Sequence, residues 1–181
     1  MRSVGFAGWT RRHWLRAALR AAPGAAAGLW SVPAASAPAP APGDAIAWPA
    51  LVTVDGRPLD PAGWQGVPTV VVFWATWCAF CQRHNARIDA LHRALDPQRL
   101  RILGVAQDGD AAAVQAYLRR HGYAFPTVLD RGPLRARFTA RRVIPMTCTV
   151  GADSLLQQCI PGEMAEDDVL ALARLALPAR R

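Results

Sequence analysis

The β-branched run Thr69-Val70-Val71-Val72 leads through Phe73-Trp74-Ala75-Thr76-Trp77 into Cys78, and Cys81 follows three residues on. A buried strand ending there delivers its first cysteine to the start of a helix. A helix N-terminus carries about half a positive charge and unpaired N–H groups, so it favours thiolate over thiol. The second cysteine falls on the same side of the first turn, within reach of a disulfide. The pattern predicts a strand–helix unit built around a redox-active sulfur pair. Half of a zinc site or a purely structural disulfide are the alternatives. Zinc wants four ligands, usually a second Cys-x-x-Cys or a His pair. Only Cys148 and Cys159 remain, and His13, His84, His92 and His121 form no pair at ligand spacing. No metal is expected.

The chain of 181 residues opens on a segment that does not read as part of a fold. Residues 1–37 hold the five arginines Arg2, Arg11, Arg12, Arg16 and Arg20 and no acid. Basic, apolar and small-residue stretches follow one another there, which is the order of a secretory signal. Thr10-Arg11-Arg12-His13-Trp14-Leu15 also resembles a twin-arginine signal. Interruptions at Arg20, Pro23 and Gly24 suit that route and argue against a stable membrane span, which needs about 20 apolar residues in a row. Residues 1–37 are therefore expected to be an export signal cleaved near Ser36 or Ala37, with a disordered basic tail as the alternative. No cysteine precedes Cys78, so a lipid anchor at the cleavage site is not expected.

Residues 38–45 form a Pro/Ala linker. One domain is expected over residues 46–177, with a tail at 178–181. The formal charge of +8 belongs largely to the leader. Beyond residue 37 there are 16 arginines against 13 acids, which is no nucleic-acid footprint.

Strand and helix signals alternate after the linker. A short hairpin turns at Asp55-Gly56, and Val67–Ala75 is the strand before the motif. The motif helix is predicted over Cys78–Leu95, with Cys81, His84, Ile88, Leu91 and Leu95 on one face. A strand at Leu100–Ala106 precedes a helix capped by Asp110 and stopped at His121-Gly122. Phe125–Leu129 reads as a strand and Leu134–Thr139 as a short helix. Met146–Val150 and Leu155–Ile160 form a hairpin, and a last helix runs from Ala165 to just before Pro178. The order predicts an α/β fold with a mixed central sheet and helices on both faces.

With this order, the Phe73-Trp74-Ala75-Thr76-Trp77-Cys78 run with Cys81, and Ile144-Pro145 opening a strand, the chain resembles the thioredoxin superfamily. Within it, residues 46–177 are most similar to exported TlpA/ResA-like thiol-disulfide oxidoreductases. The resemblance implies a thioredoxin-like fold with a TlpA/ResA-type insert, which ends at Phe125-Pro126-Thr127-Val128-Leu129-Asp130. It also implies that Ile144-Pro145 is a cis-proline loop facing the cysteine pair and the substrate. Plain thioredoxin has a buried aspartate where this chain has Val72. The exported branch usually has a glutamate and a proline where this chain has His84 and Ala86.

Cys78 is expected to be the nucleophile, sheltered by its neighbour Trp77, and Cys81 the resolving thiol of the redox-active disulfide. His84 has two readings. It could replace the family glutamate in moving the Cys81 proton, and as a cation would lower the cysteine pKa; or it is a packed helix histidine. Cys148 and Cys159 flank the predicted hairpin. A two-residue loop at Asp153-Ser154 would oppose them directly, whereas a four-residue loop would oppose Cys148 to Gln157. A structural disulfide, two free thiols and a second redox pair all stay open. Arg131, Arg135, Arg137, Arg141 and Arg142 crowd the approach to Pro145, as a solvated surface or as a collar for acidic partners. Trp48 and Trp64 are read as core edge.

The sequence thus predicts an exported, periplasmic protein disulfide oxidoreductase, monomeric and without cofactor. It would exchange electrons with disulfide-bearing or dithiol partner proteins, most simply as a reductase fed by a membrane electron donor, as in cytochrome c maturation. A thiol peroxidase would need a Pro-x-x-x-Thr-x-x-Cys setting, which does not precede Cys78. A copper-binding thioredoxin-like chaperone using Cys78 and Cys81 is the alternative from another class.

Overall fold

A computed structural model describes residues 39–130 and 133–177. The stretch read as an export signal, the tail at 178–181 and Arg131 lie outside the described residues.

The core strand is β3 (Thr69–Trp74), all six residues of it buried. A strand covered on both faces can be β-branched throughout, which is why this run shows no polar alternation. On one side β3 pairs in parallel with β4 (Arg101–Ala106), and β4 in parallel with β5 (Thr127–Leu129). On the other, β3 pairs antiparallel with β6 (Met146–Val150), and β6 with β7 (Leu156–Pro161). The sheet order is β5-β4-β3-β6-β7. A small hairpin, β1 (Leu51–Val52) with β2 (Pro58–Leu59), stands apart from it.

Alternate residues of β3 serve two cores. Val70, Val72 and Trp74 pack with side chains of α1 (Ala79–Ala94), α2 (Ala111–His121) and α4 (Glu166–Ala171). Val71 and Phe73 pack on the opposite face with Leu134 of α3 (Pro133–Ala136), Phe138, Ile46 and Trp64. Both faces of the mixed sheet thus carry helix, three on the motif side and one short helix on the other. Trp64 is buried and Trp48 half-buried, their rings stacked at 4.9 Å.

Local signals set the helix ends. Asp110 caps α2, accepting the Ala112 N–H at 2.9 Å. Gly122 ends it in the left-handed region at φ 68°, where a residue without Cβ is unstrained. Gly104 on β4 has a different reason. A Cβ there would stand 2.6 Å from Thr127 Oγ1 and 3.0 Å from Trp74 Nε1, so only glycine lets the tryptophan lie across the strand. The last helical stretch is shorter than its sequence suggests: α4 gives way at Leu172–Ala176 to a 3₁₀ turn. At the other end, the Gly43 N–H bonds the Leu156 carbonyl and the Leu156 N–H bonds the Asp44 carbonyl. Backbone pairing with the domain therefore starts at Gly43.

Candidate active site

Cys78 is the N-cap residue of α1, in extended conformation at φ −94° and ψ 107°. Its Sγ accepts the Cys81 backbone N–H at 3.2 Å. That is a hydrogen bond from an orphan donor of the first helical turn, the kind that steadies a sulfur carrying negative charge. Cys78 and Cys81 are joined as a disulfide, with Cα atoms 5.2 Å apart. Cys78 keeps 9% of its surface accessible and Cys81 none. Of the pair, only Cys78 reaches the surface, by a narrow margin. The exposed rings of Trp77 and Phe80 flank that cysteine. From the end of β4, Asp108 holds the exit loop, accepting the Thr76 N–H at 3.1 Å and the Thr76 hydroxyl.

The Ile144–Pro145 peptide is cis. Its place follows from register. Met146 pairs with Phe73, so Pro145 lies at the end of β3 from which the cysteine motif emerges. Ile144 packs against the core cluster that contains Cys78 and Cys81. Behind the proline, its carbonyl accepts the Gly162 N–H at 2.8 Å. The turn carrying Gly162 is tied to α1 in turn: Glu163 bonds Arg83 at 2.6 Å and Arg87 at 2.8 Å. Those guanidiniums hold the Glu163 carboxyl below its ordinary pKa, Arg83 most strongly.

His84 is wholly buried one turn past Cys81. Its Nδ1 accepts the Met164 N–H at 3.4 Å, so Nε2 carries the proton and donates to Thr147 Oγ1 at 2.9 Å. Burial pushes its pKa down to about 4, the nearby Arg87 charge adds to this, and Glu163 opposes it. A cationic His84 near neutral pH, one of the two sequence readings, does not fit this setting. It is a packed, hydrogen-bonded histidine with both ring nitrogens engaged.

Cys148 and Cys159 form a second disulfide, on adjacent strands with Cα atoms 4.1 Å apart. Over Met146–Thr149 the ladder has the register expected of the two-residue loop, with Cys148 opposite Cys159. The four-residue-loop register, Cys148 opposite Gln157, does not occur, and the turn itself differs from both. Gly151 pairs with Leu155 across a three-residue loop with Ser154 at φ 64°, and a β-bulge between Thr149 and Val150 then shifts the ladder. That single extra residue on β7 brings Cys148 opposite Cys159. Closing an 11-residue separation restricts the unfolded chain, so the Cys148→Ala/Cys159→Ala pair should lose roughly 2–3 kcal/mol of stability. Denaturant titration beside the parent protein checks this, and equal midpoints would refute it.

Of the arginines before Pro145, Arg135 departs from the solvated surface assumed for them. It is buried and donates to the backbone carbonyls of Arg141 at 2.8 Å and Val143 at 2.6 Å. Burial draws its pKa down, with Asp130 opposing. Sequence reasoning missed this role, and missed Asp108 altogether. Among the described residues no group of three or more His, Cys, Asp or Glu side chains is placed to hold a metal ion.

The AhpC/TSA family model matches residues 42–153, a span that contains both motif cysteines and Pro145. The chain belongs to the AhpC/TSA family. Within that thioredoxin-like family it is similar to the thiol-disulfide oxidoreductase ResA of Geobacillus thermodenitrificans. The two are 25% identical over 119 residues, 66% of this chain and 68% of ResA. The soluble secreted antigen MPT53 of Mycobacterium tuberculosis is 34% identical over 89 residues, about half of each chain (48% and 49%). Solved structures agree on the fold. A secreted Mycobacterium tuberculosis disulfide oxidoreductase homologous to E. coli DsbE superposes with a TM-score of 0.61 at 24% identity, covering 72% of this chain and 96% of that one. A thioredoxin-family thiol:disulfide interchange protein from Chlorobium tepidum gives 0.65 at 23% identity, over 78% and 97%. This AhpC/TSA member is a thiol-disulfide oxidoreductase with a thioredoxin-like Cys-x-x-Cys pair.

Proposed function

We propose that the protein is an exported reductase of partner-protein disulfides, with Cys78 as nucleophile and Cys81 as resolving thiol. The observation that carries this reading is the asymmetry of the pair: Cys78 sits at the helix cap with a donor on its sulfur and a sliver of surface exposed, and Cys81 is sealed. The Cys78 thiolate attacks a partner disulfide, and one partner sulfur leaves as thiolate. Cys81 then loses its proton and attacks Cys78 Sγ. The second partner sulfur departs and is protonated, and two electrons have passed to the partner. The Cys78–Cys81 disulfide is the end point of that cycle, and a dithiol donor at the membrane would restore the thiols.

Ile144 and Pro145 face the partner in this reading, their backbone lying against an extended segment beside the reacting sulfurs. The leader at residues 1–37 and the secreted nature of MPT53 support export to the periplasm. Among the described residues no helix is long and apolar enough to cross a membrane. A monomer handing electrons to protein partners, with a role of the cytochrome c maturation type, is the simplest setting.

Equilibration of the Cys78–Cys81 pair against glutathione tests the direction of flow. A reductase should show a potential near that of thioredoxin, about −270 mV. A value near −120 mV, that of strong periplasmic oxidants, would make the protein a disulfide donor and sink the proposal.

A further inference from the structure

Among the described residues Arg135 is the one buried arginine, 8% exposed. A guanidinium in that position is costly unless its donors find acceptors. Nε donates to the Arg141 carbonyl at 2.8 Å, Nη2 to the Val143 carbonyl at 2.6 Å and Nη1 to Gln107 Oε1 at 3.1 Å. The group also lies over the Phe73 ring, 5.1 Å from its centroid. Gln107 is held by Asp130, donating to its Oδ2 at 3.1 Å. One side chain therefore links β3, the exit of β4 and the chain entering the cis-proline.

That chain needs an external hold. Residues 139–145 have no helix or strand of their own, so their conformation depends on tertiary partners. A peptide unit is planar, and in a trans unit the C=O and N–H point opposite ways. Pinning the Val143 carbonyl against Arg135 therefore turns the Ile144 N–H away from Arg135. It also fixes the plane that enters the cis peptide. Arginine suits this task because its rigid fork addresses two carbonyls at once, which a lysine ammonium on a flexible stem does not.

We propose that Arg135 is a positioning residue for partner binding: by fixing the Val143–Ile144 peptide it presents the Ile144–Pro145 backbone to the extended chain of a disulfide-bearing protein. This inference rests on the reading of that loop as partner-facing. Arg135 touches neither sulfur in this scheme, so it governs how a polypeptide docks and leaves the exchange chemistry alone.

The test compares two disulfides on the full chain. Insulin is the polypeptide substrate, and dithiodipyridine is a small disulfide with no backbone to dock. In Arg135→Met the KM for insulin should rise about tenfold, while kcat and the dithiodipyridine rate stay within about twofold of the parent. Arg135→Lys should recover only part of the loss, and Gln107→Ala should shift KM in the same direction by about threefold. Gln107→Ala carries the test alone if Arg135→Met does not fold. An insulin KM unchanged in these variants overturns the inference, as does a dithiodipyridine rate that falls in parallel. Pro145→Ala separates the two levels of the argument. If it raises the insulin KM while the Arg135 and Gln107 variants do not, only the role of Arg135 falls. If Pro145→Ala leaves the insulin KM unchanged, the partner-facing reading of the loop falls with it.

Discussion

Cys78→Ser is expected to cut disulfide reductase turnover by at least about a thousandfold, because it removes the sulfur that forms the covalent intermediate. Cys81→Ser should fail differently. Its Cys78 remains at the cap of α1, where it attacks a partner disulfide, but nothing buried beneath can expel the product. A mixed disulfide between Cys78 and the partner should accumulate, visible as a higher-mass species on a non-reducing gel and absent after reduction. The difference in exposure between the two residues, 9% for Cys78 against none for Cys81, sets this polarity. Trapping through Cys81 in Cys78→Ser instead would reverse the assigned roles. The Cys148–Cys159 pair supplies an internal control. It lies in the core cluster on the other face of the sheet, so its double alanine variant should keep the same turnover per folded molecule.

How much of this could be read from the chain alone depends on how local each determinant is. The motif strand announces itself because β3 is buried on both faces and only β-branched and aromatic residues fit there. The ends of α2 lie within a residue of Asp110 and Gly122, since caps act through their own turn. Register was harder. A two-residue loop at Asp153-Ser154 opposes Cys148 to Cys159 and a four-residue loop does not, and nothing local chooses between them. The bulge on β7 that lets a three-residue turn keep the first pairing has no signature in the chain. Arg135 was illegible for a similar reason. As an arginine in a four-residue helix, among arginines, it looks like solvated surface. Its acceptors come from Gln107, Arg141 and Val143, and Phe73 adds a ring face. Such a cradle exists only once the strands are assembled. His84 presents the same difficulty. Its place on the apolar stripe of α1 was plain, but its partners Thr147 and Met164 lie 63 and 80 residues away.

Those partners make His84 a determinant of acid stability. The folded protein keeps the ring neutral down to a pKa of about 4, against an ordinary 6.5. Between those values the unfolded chain binds a proton that the folded state excludes. Stability contributed by this group is therefore complete above pH 6.5 and is lost as pH falls toward 4, where the folded ring also protonates. The shift amounts to about 3 kcal/mol, at 1.36 kcal/mol per pKa unit. Half-buried His92 is also lowered by burial and adds a slope of the same sign. Asp55 and Glu163 are held below their ordinary pKa values of 3.8 and 4.5. Their contributions are lost only as pH falls below those values, at and beneath the acid edge of the window in which the histidines act. Denaturant midpoints measured from pH 8 to pH 4 should thus fall steeply in the parent protein. His84→Gln keeps a donor and an acceptor but cannot titrate, so its profile should retain only the shallower slope owed to His92. Cys78 alkylation should meanwhile keep the same pH dependence in both proteins, because a neutral ring lends the thiolate no charge. A parallel shift in that alkylation profile would restore the histidine to the redox chemistry and contradict the structural role given to it.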